Sequence, residues 1–339
     1  FAQAIADWIR GVSYLSLSET IDIYMAAIDD VGYPMMLAIE YLLTGGVSDV
    51  FIPMFIKSIM GAYCIVCVYH VAKRHFGIGT ARIAALFVCL NPNMIYWCGS
   101  MMKETEMVFF CCLAVDKLDQ GLSSIDKLTL RALWPGILAG LVLFFMRSAL
   151  ALALFLAVLM HVVLASNKII SLAKKLIVSI LVIVTLFIGV GDRVLLQSKG
   201  YIESIQSDAQ QVNMEWRSNR AGGNSFAKYA SATVFAPLIF TIPFPTLNVA
   251  NEAQLMQAQL AGGYYIKNIL SFFVIMVLLF LLVSGEWRKH VFILAYTCGY
   301  LLVLVFSGFA QSGRFHMPIW PMLMLLAAYG MGLVLPLFY

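Results

Sequence analysis

The chain has 339 residues, 62% of them hydrophobic and only 12% charged, with a mean hydropathy of +0.89. Soluble domains carry about a quarter of their residues as charges, so a water-soluble fold is excluded. No basic patch of the nucleic-acid-binding kind is present, and the net charge of +4 matters less than where its lysines and arginines lie.

Apolar runs of about 18 or more residues recur with helical periodicity, each long enough to cross a hydrocarbon core about 30 Å thick. Only helices or closed barrels satisfy every backbone polar group there. The expected fold class is therefore an all-α polytopic membrane protein. In chain order, residues 1–49 read as outer interfacial helices: Trp8 and Tyr14 suit the headgroup layer, and the 33–45 stretch is apolar but too short to cross. Residues 50–190 read as a six-span module, with spans near 50–72, 80–98, 104–119, 128–146, 148–166 and 172–190. Residues 191–262 form a large outer loop, polar at first and then apolar and interrupted by Pro237, Pro243 and Pro245. Three further spans, near 263–284, 288–307 and 315–338, complete residues 263–339.

Four short connections, 73–82, 116–131, 166–175 and 284–290, hold eleven of the 22 lysines and arginines, which places them in the cytoplasm. The opposite side has the longer segments and 14 of the 18 acidic residues, so chemistry is expected there. With Phe1 on that side, a span before it is expected to bring the chain out. The seven cysteines lie in or beside apolar segments and read as small buried hydrophobes, although Cys64 and Cys67 form a CxxC.

Ionisable side chains at membrane depth or gathered on one membrane face are functional candidates by default. The 99–107 stretch, GSMMKETEM, presents Lys103, Glu104 and Glu106 from a turn. The two carboxylates either share a divalent cation, Mg or Mn, or cap the next helix as a solvated turn. Arg147, alone between two apolar runs, either grips a phosphate bidentately or snorkels to headgroups. Arg314 and His316 stand at the outer start of the last span, where a second phosphate contact, a hydrogen-bond donor or a structural histidine are all open. Asp7, Glu19, Asp22, Asp29 and Asp30 could supply an outer general base. Arg217 and Arg220 belong either to an acceptor site or to a solvated loop face. Lys57 and Glu40, in apolar surroundings, are expected to pair with each other or with loop charges. His70, Lys73, Arg74 and His75 read as a basic end attracted to anionic lipids.

GYPMMLAIEYLLTGG resembles the helix that closes the first outer loop of the GT-C superfamily, the multispan glycosyltransferases that use polyprenyl-linked sugars. VYHVAKRHFGIGTARIAALFVCLNPNMIYWCGSMMKETEM resembles the family's next hairpin, and FMRSAL and GRFHMPIWP resemble outer arginine segments of bacterial members of the dolichyl-phosphate-mannose-dependent type. The likeness covers roughly 1–165 and 300–339. It implies a GT-C-like helical bundle with outer juxtamembrane helices, in a bacterial inner membrane with its active face extracytoplasmic. It further implies inverting transfer of a sugar from a polyprenyl-(di)phosphate donor to a glycan, lipid or protein hydroxyl, in cell-envelope glycan assembly. Glu104 and Glu106 fall where many members carry an acidic metal or donor-phosphate motif, while Lys103, Arg147, Arg314 and His316 would hold donor phosphate. The family's catalytic aspartate sits at the end of the first span or early in the first outer loop. That region either precedes Phe1 or makes Asp7 or Asp22 the match. A polysaccharide polymerase or ligase on undecaprenyl-linked glycans, a transporter and a non-enzymatic complex subunit are the alternatives.

Overall fold

The structure is a computed structural model that describes residues 1–14, 16–24, 31–45, 49–123, 130–164, 255–306 and 313–334. Among the described residues every regular element is helical. Three short helices come first: α1 (Ala2–Ile9), α2 (Leu17–Tyr24) and α3 (Gly32–Leu43). A capping box opens α2, with the Ser16 backbone N–H donating to Glu19 Oε2 at 2.8 Å and the Glu19 N–H donating to Ser16 Oγ at 3.2 Å. Ile5 and Ala6 of α1 bury against Ala38 of α3, leaving Trp8 and Tyr14 outward.

The helix α4 (Phe51–Leu90) spans 40 residues but breaks at Gly77, whose φ of 87° and ψ of 176° only glycine adopts easily. Straight, it would run about 60 Å. Instead Lys57 near its start touches the carbonyls of Ser100 and Met102, and a Cβ on Gly61 would strike Cys98. The chain therefore doubles back at Gly77 into a helical hairpin, where the basic 73–82 connection is expected. The expected 80–98 span is itself divided. Pro92 drives Asn91 into extended backbone (ψ 118°), and the Asn91 side chain caps a separate helix, α5 (Pro92–Cys98), by accepting from the N–H groups of Asn93 and Met94.

The remaining helices alternate in direction. A Cβ on Gly136 of α7 (Leu130–Met146) would press on Leu118 of α6 (Glu104–Ser123), and one on Gly140 would meet Leu154 and Phe155 of α8 (Ser148–Leu164). The missing side chains at these glycines let neighbouring helices approach closely, as membrane bundles commonly do. The helix α9 (Leu255–Ser284) ends on Gly285 (φ 70°), a 3-10 turn follows over Glu286–His290, and α10 (Val291–Phe306) returns. After a short turn over Gly313–His316 and a 3-10 turn over Met317–Ile319, α11 (Trp320–Val334) runs through the centre, with Trp320 and Leu323 to Ala328 all buried. Gly330 sits on the Phe273 carbonyl of α9, and Tyr329 stacks on Phe76 at 4.2 Å.

Phe51–Leu90 and Met317–Val334 are long and apolar enough to cross a membrane, and Ile269–Ser284 with Glu286–Leu304 qualify together as a pair bent by 120°. The chain thus has the character of an all-helical membrane protein. The nine expected spans are met only at this coarser level: α7 and α8 are shorter apolar helices, and the 172–190 span and residues 191–254 of the expected outer loop lie outside the described residues. Residues 255–262, expected in that loop, instead form the first turns of α9, where LMQAQLAG is rich in helix-forming residues and has no proline.

Candidate functional site

Tracing these contacts gives the bundle two polar ends. The first gathers the 99–103 turn, the starts of α3 and α6, the α7–α8 junction and the turn before α11. The Lys57 ammonium lies at its centre, fully buried, 3.1 Å from Glu106 Oε1. It also donates to Tyr33 Oη at 3.1 Å, to the Ser100 carbonyl at 3.0 Å and to the Met102 carbonyl, and it lies 4.7 Å from the Tyr33 ring centroid. One lysine thereby ties α3, α4, the 99–103 turn and α6 together. A charge so deep persists only when paired and hydrogen-bonded, and Lys57 meets both conditions.

Three carboxylates surround that ammonium unequally. Glu106 gives one oxygen to Lys57, and its Oε2 has no hydrogen-bond partner among the described residues. Glu104, two residues before it on α6, is also buried. Glu40 of α3 is also buried with an unpartnered Oε2; burial raises its carboxyl above the usual range, and Lys57 only partly opposes this. Burial, then the nearby Glu106 and Glu40, likewise pushes the Tyr33 hydroxyl far above its ordinary value. The sequence expectation for Lys57 resolves to Glu106, with Glu40 close enough to feel its charge.

The two arginine segments expected to bind phosphate converge at the same end. Arg147, the non-helical residue between α7 and α8, places its guanidinium carbon 4.0 Å from the Phe315 ring centroid. Phe315 lies between Arg314 and His316, and its carbonyl accepts from the Tyr300 hydroxyl at 2.9 Å. A Cβ on Gly32 would meet the Phe145 backbone at 2.8 Å, so the residue beside Tyr33 abuts the one two before Arg147. Arg314 is placed by its backbone alone, and His316 is buried.

The other sequence candidates are less concentrated. Lys103 is half-buried in the turn. Asp7 accepts from the Gln3 amide at 3.0 Å on α1, and Asp22 falls on α2. Arg217 and Arg220 lie outside the described residues. Among the described residues, no group of three or more His, Cys, Asp or Glu side chains is arranged to hold a metal ion.

The second end carries a network to which sequence reading assigned only topology. Arg74 forks between Asp116 (2.9 Å) and Asp119 (2.7 Å). His75 Nε2 lies 2.7 Å from the other Asp119 oxygen, and His75 Nδ1 lies 2.8 Å from His290 Nδ1. With Asp119 as acceptor, His75 Nε2 is the donor, so the shared Nδ1 contact runs from His290 to a neutral His75 or from a charged His75 to His290. This network joins α4, α6 and the 286–290 turn.

No protein-family model, no curated protein and no solved structure matches the chain.

Proposed function

We propose that the protein is a membrane glycosyltransferase that moves a sugar from a polyprenyl-(di)phosphate donor to a hydroxyl of a glycan, lipid or protein acceptor. The observation that carries this reading is the meeting of Arg147 with the Arg314–His316 segment, at the same end of the bundle as the Lys57–Glu106 pair and the buried Glu104. Arginine segments that meet at a membrane surface suit a lipid phosphate, the leaving group of such a transfer. In this reading Arg147 and Arg314 neutralise the phosphate as the glycosidic bond breaks. Lys57 fixes the charge and shape of the 99–106 turn against the donor, and Asp7 or Asp22 takes the acceptor proton. The site faces the extracytoplasmic side of a bacterial plasma membrane, the second, basic end facing the cytoplasm.

The test is transfer of radiolabelled sugar by the purified full-length protein from a panel of polyprenyl phosphate and diphosphate donors, with and without EDTA. Arg147→Ala should lower the rate on the order of 100-fold, the scale of losing one preorganised charge donor. Glu104→Gln with Glu106→Gln should also lower it in protein that elutes and melts as folded. Chelator sensitivity would bring in the Mg or Mn ion expected at Glu104 and Glu106. A ladder of products would point to a polysaccharide polymerase, whereas no transfer from any donor would sink the reading and favour a transporter or non-enzymatic subunit.

A further inference from the structure

A further cationic group stands near that end, on a face of α9 that the proposed chemistry does not use. Gly263, Lys267 and Ser271 recur every four residues and so share one side of the helix. Gly263 abuts Asn93: a Cβ there would run into the Asn93 amide. Asn93 is fully buried, and among the described residues neither its Nδ2 nor its Oδ1 has a hydrogen-bond partner, because the α5 cap is made by Asn91 instead. One turn along, about 6 Å by helix rise, Lys267 lines a small cavity with Ser271, Trp320 and Leu323. Ser271 spends its hydroxyl on the Lys267 carbonyl at 2.8 Å, and no acidic side chain among the described residues pairs with the Lys267 ammonium.

Among the described residues, this seam therefore combines an ammonium without a counter-charge and a buried amide with neither its donor nor its acceptor met. The charge and the amide donor are met by an oxyanion, because it accepts from N–H groups and neutralises a cation, and a singly protonated phosphate also donates to the Asn93 Oδ1. The cavity wall supplies an indole and aliphatic side chains for an apolar tail. The location also fits, since Trp320 follows His316 by one turn and Lys267 precedes the apolar 269–284 stretch by two residues.

We infer that the Asn93–Lys267 seam of α5 and α9 binds the phosphate group of an isoprenoid lipid. The identity of the lipid rests on the polyprenyl-donor reading; the oxyanion chemistry does not. Opening of the Trp320 cavity as the tail enters is part of the inference, since at present its volume is only about 10 Å³.

The experiment is equilibrium binding of farnesyl phosphate to the full chain in detergent micelles, with farnesol, phosphatidic acid and inorganic phosphate as parallel probes. Farnesyl phosphate should bind saturably and farnesol at least 10-fold more weakly. Lys267→Gln should weaken farnesyl phosphate binding at least 10-fold, Lys267→Arg should largely retain it, and Asn93→Asp, which sets a carboxylate against the phosphate, should also weaken it. Lys267-dependent binding of phosphatidic acid or inorganic phosphate as tight as that of farnesyl phosphate would overturn the isoprenoid assignment in favour of an ordinary headgroup or free phosphate. Equal farnesyl phosphate affinity in wild type, Lys267→Gln and Asn93→Asp would overturn the site. The same proteins in the transfer assay separate the two proposals. Transfer with Lys267-independent binding removes this site alone; Lys267-dependent binding without any transfer removes the glycosyltransferase reading alone.

Discussion

Lys57 illustrates what a single residue can and cannot disclose in sequence. A lysine within an apolar run announces that it needs a partner, but Glu106 lies 49 positions along the chain and only the Gly77 hairpin brings the two together. Hydropathy likewise could not reveal that Glu106 is buried in an ion pair instead of being presented from a solvated turn. The energetic consequence is testable. Lys57→Met leaves a buried carboxylate unpaired and should destabilise the fold by about 3–5 kcal/mol, whereas Lys57→Met with Glu106→Leu should cost clearly less than the sum of the single changes. Unfolding in detergent micelles measures both, and strict additivity would show that the pair is not coupled. Glu40 gives a pH prediction of definite sign. Its carboxyl is raised on folding, so the native state holds a proton that the unfolded chain has released, and stability must fall as pH climbs above the ordinary carboxylate range. Melting temperatures should therefore drop across that window in wild type, and Glu40→Gln should flatten the drop.

At the scale of elements, the turn at 73–82 was legible because a basic cluster and two glycines interrupt an apolar run, and the structure turns there at Gly77. The division at Asn91 was not, because a hydropathy window averages over a single proline; the backbone does not, and α5 begins anew with its own cap. Glycine substitutions distinguish the hairpin from a continuous helix. A side chain at Gly77 meets no atom within 4 Å, so the cost of Gly77→Ala is purely conformational, about 1–3 kcal/mol for a residue forced into a glycine-only region. Gly79, equally open but with ordinary φ, should accept alanine with a neutral or slightly stabilising effect. Comparable melting temperatures for the two variants would mean that the hairpin does not turn on Gly77. The network beyond the turn was illegible for the same reason as the Lys57 pair: His75 and His290 are separated by 215 positions.

At the scale of the molecule, the polar residues sort to two ends, and the physics of each differs. The Lys57 end buries the Lys57–Glu106 pair beside two further carboxylates and sets Arg147 against an aromatic ring, while the His75 end holds Arg74 between two aspartates beside the exposed Lys73, Arg82, Arg288 and Lys289. An excess of exposed lysine and arginine in short connections is the mark of the cytoplasmic side, and crossing a bilayer with such loops is unfavourable. The proposed orientation follows from that asymmetry, and it dictates which face can meet a lipid-linked donor. Single cysteines at Lys103 and Gly79, placed in a chain whose seven native cysteines are replaced by alanine or serine, would report on it through a membrane-impermeant maleimide. Lys103→Cys should react in intact cells, whereas Gly79→Cys should react only after the membrane is opened. The reverse pattern would turn the protein over and put the arginine end in the cytoplasm, where an extracytoplasmic transfer could not occur. Labelling of both from outside would deny that the two ends are separated by a bilayer at all.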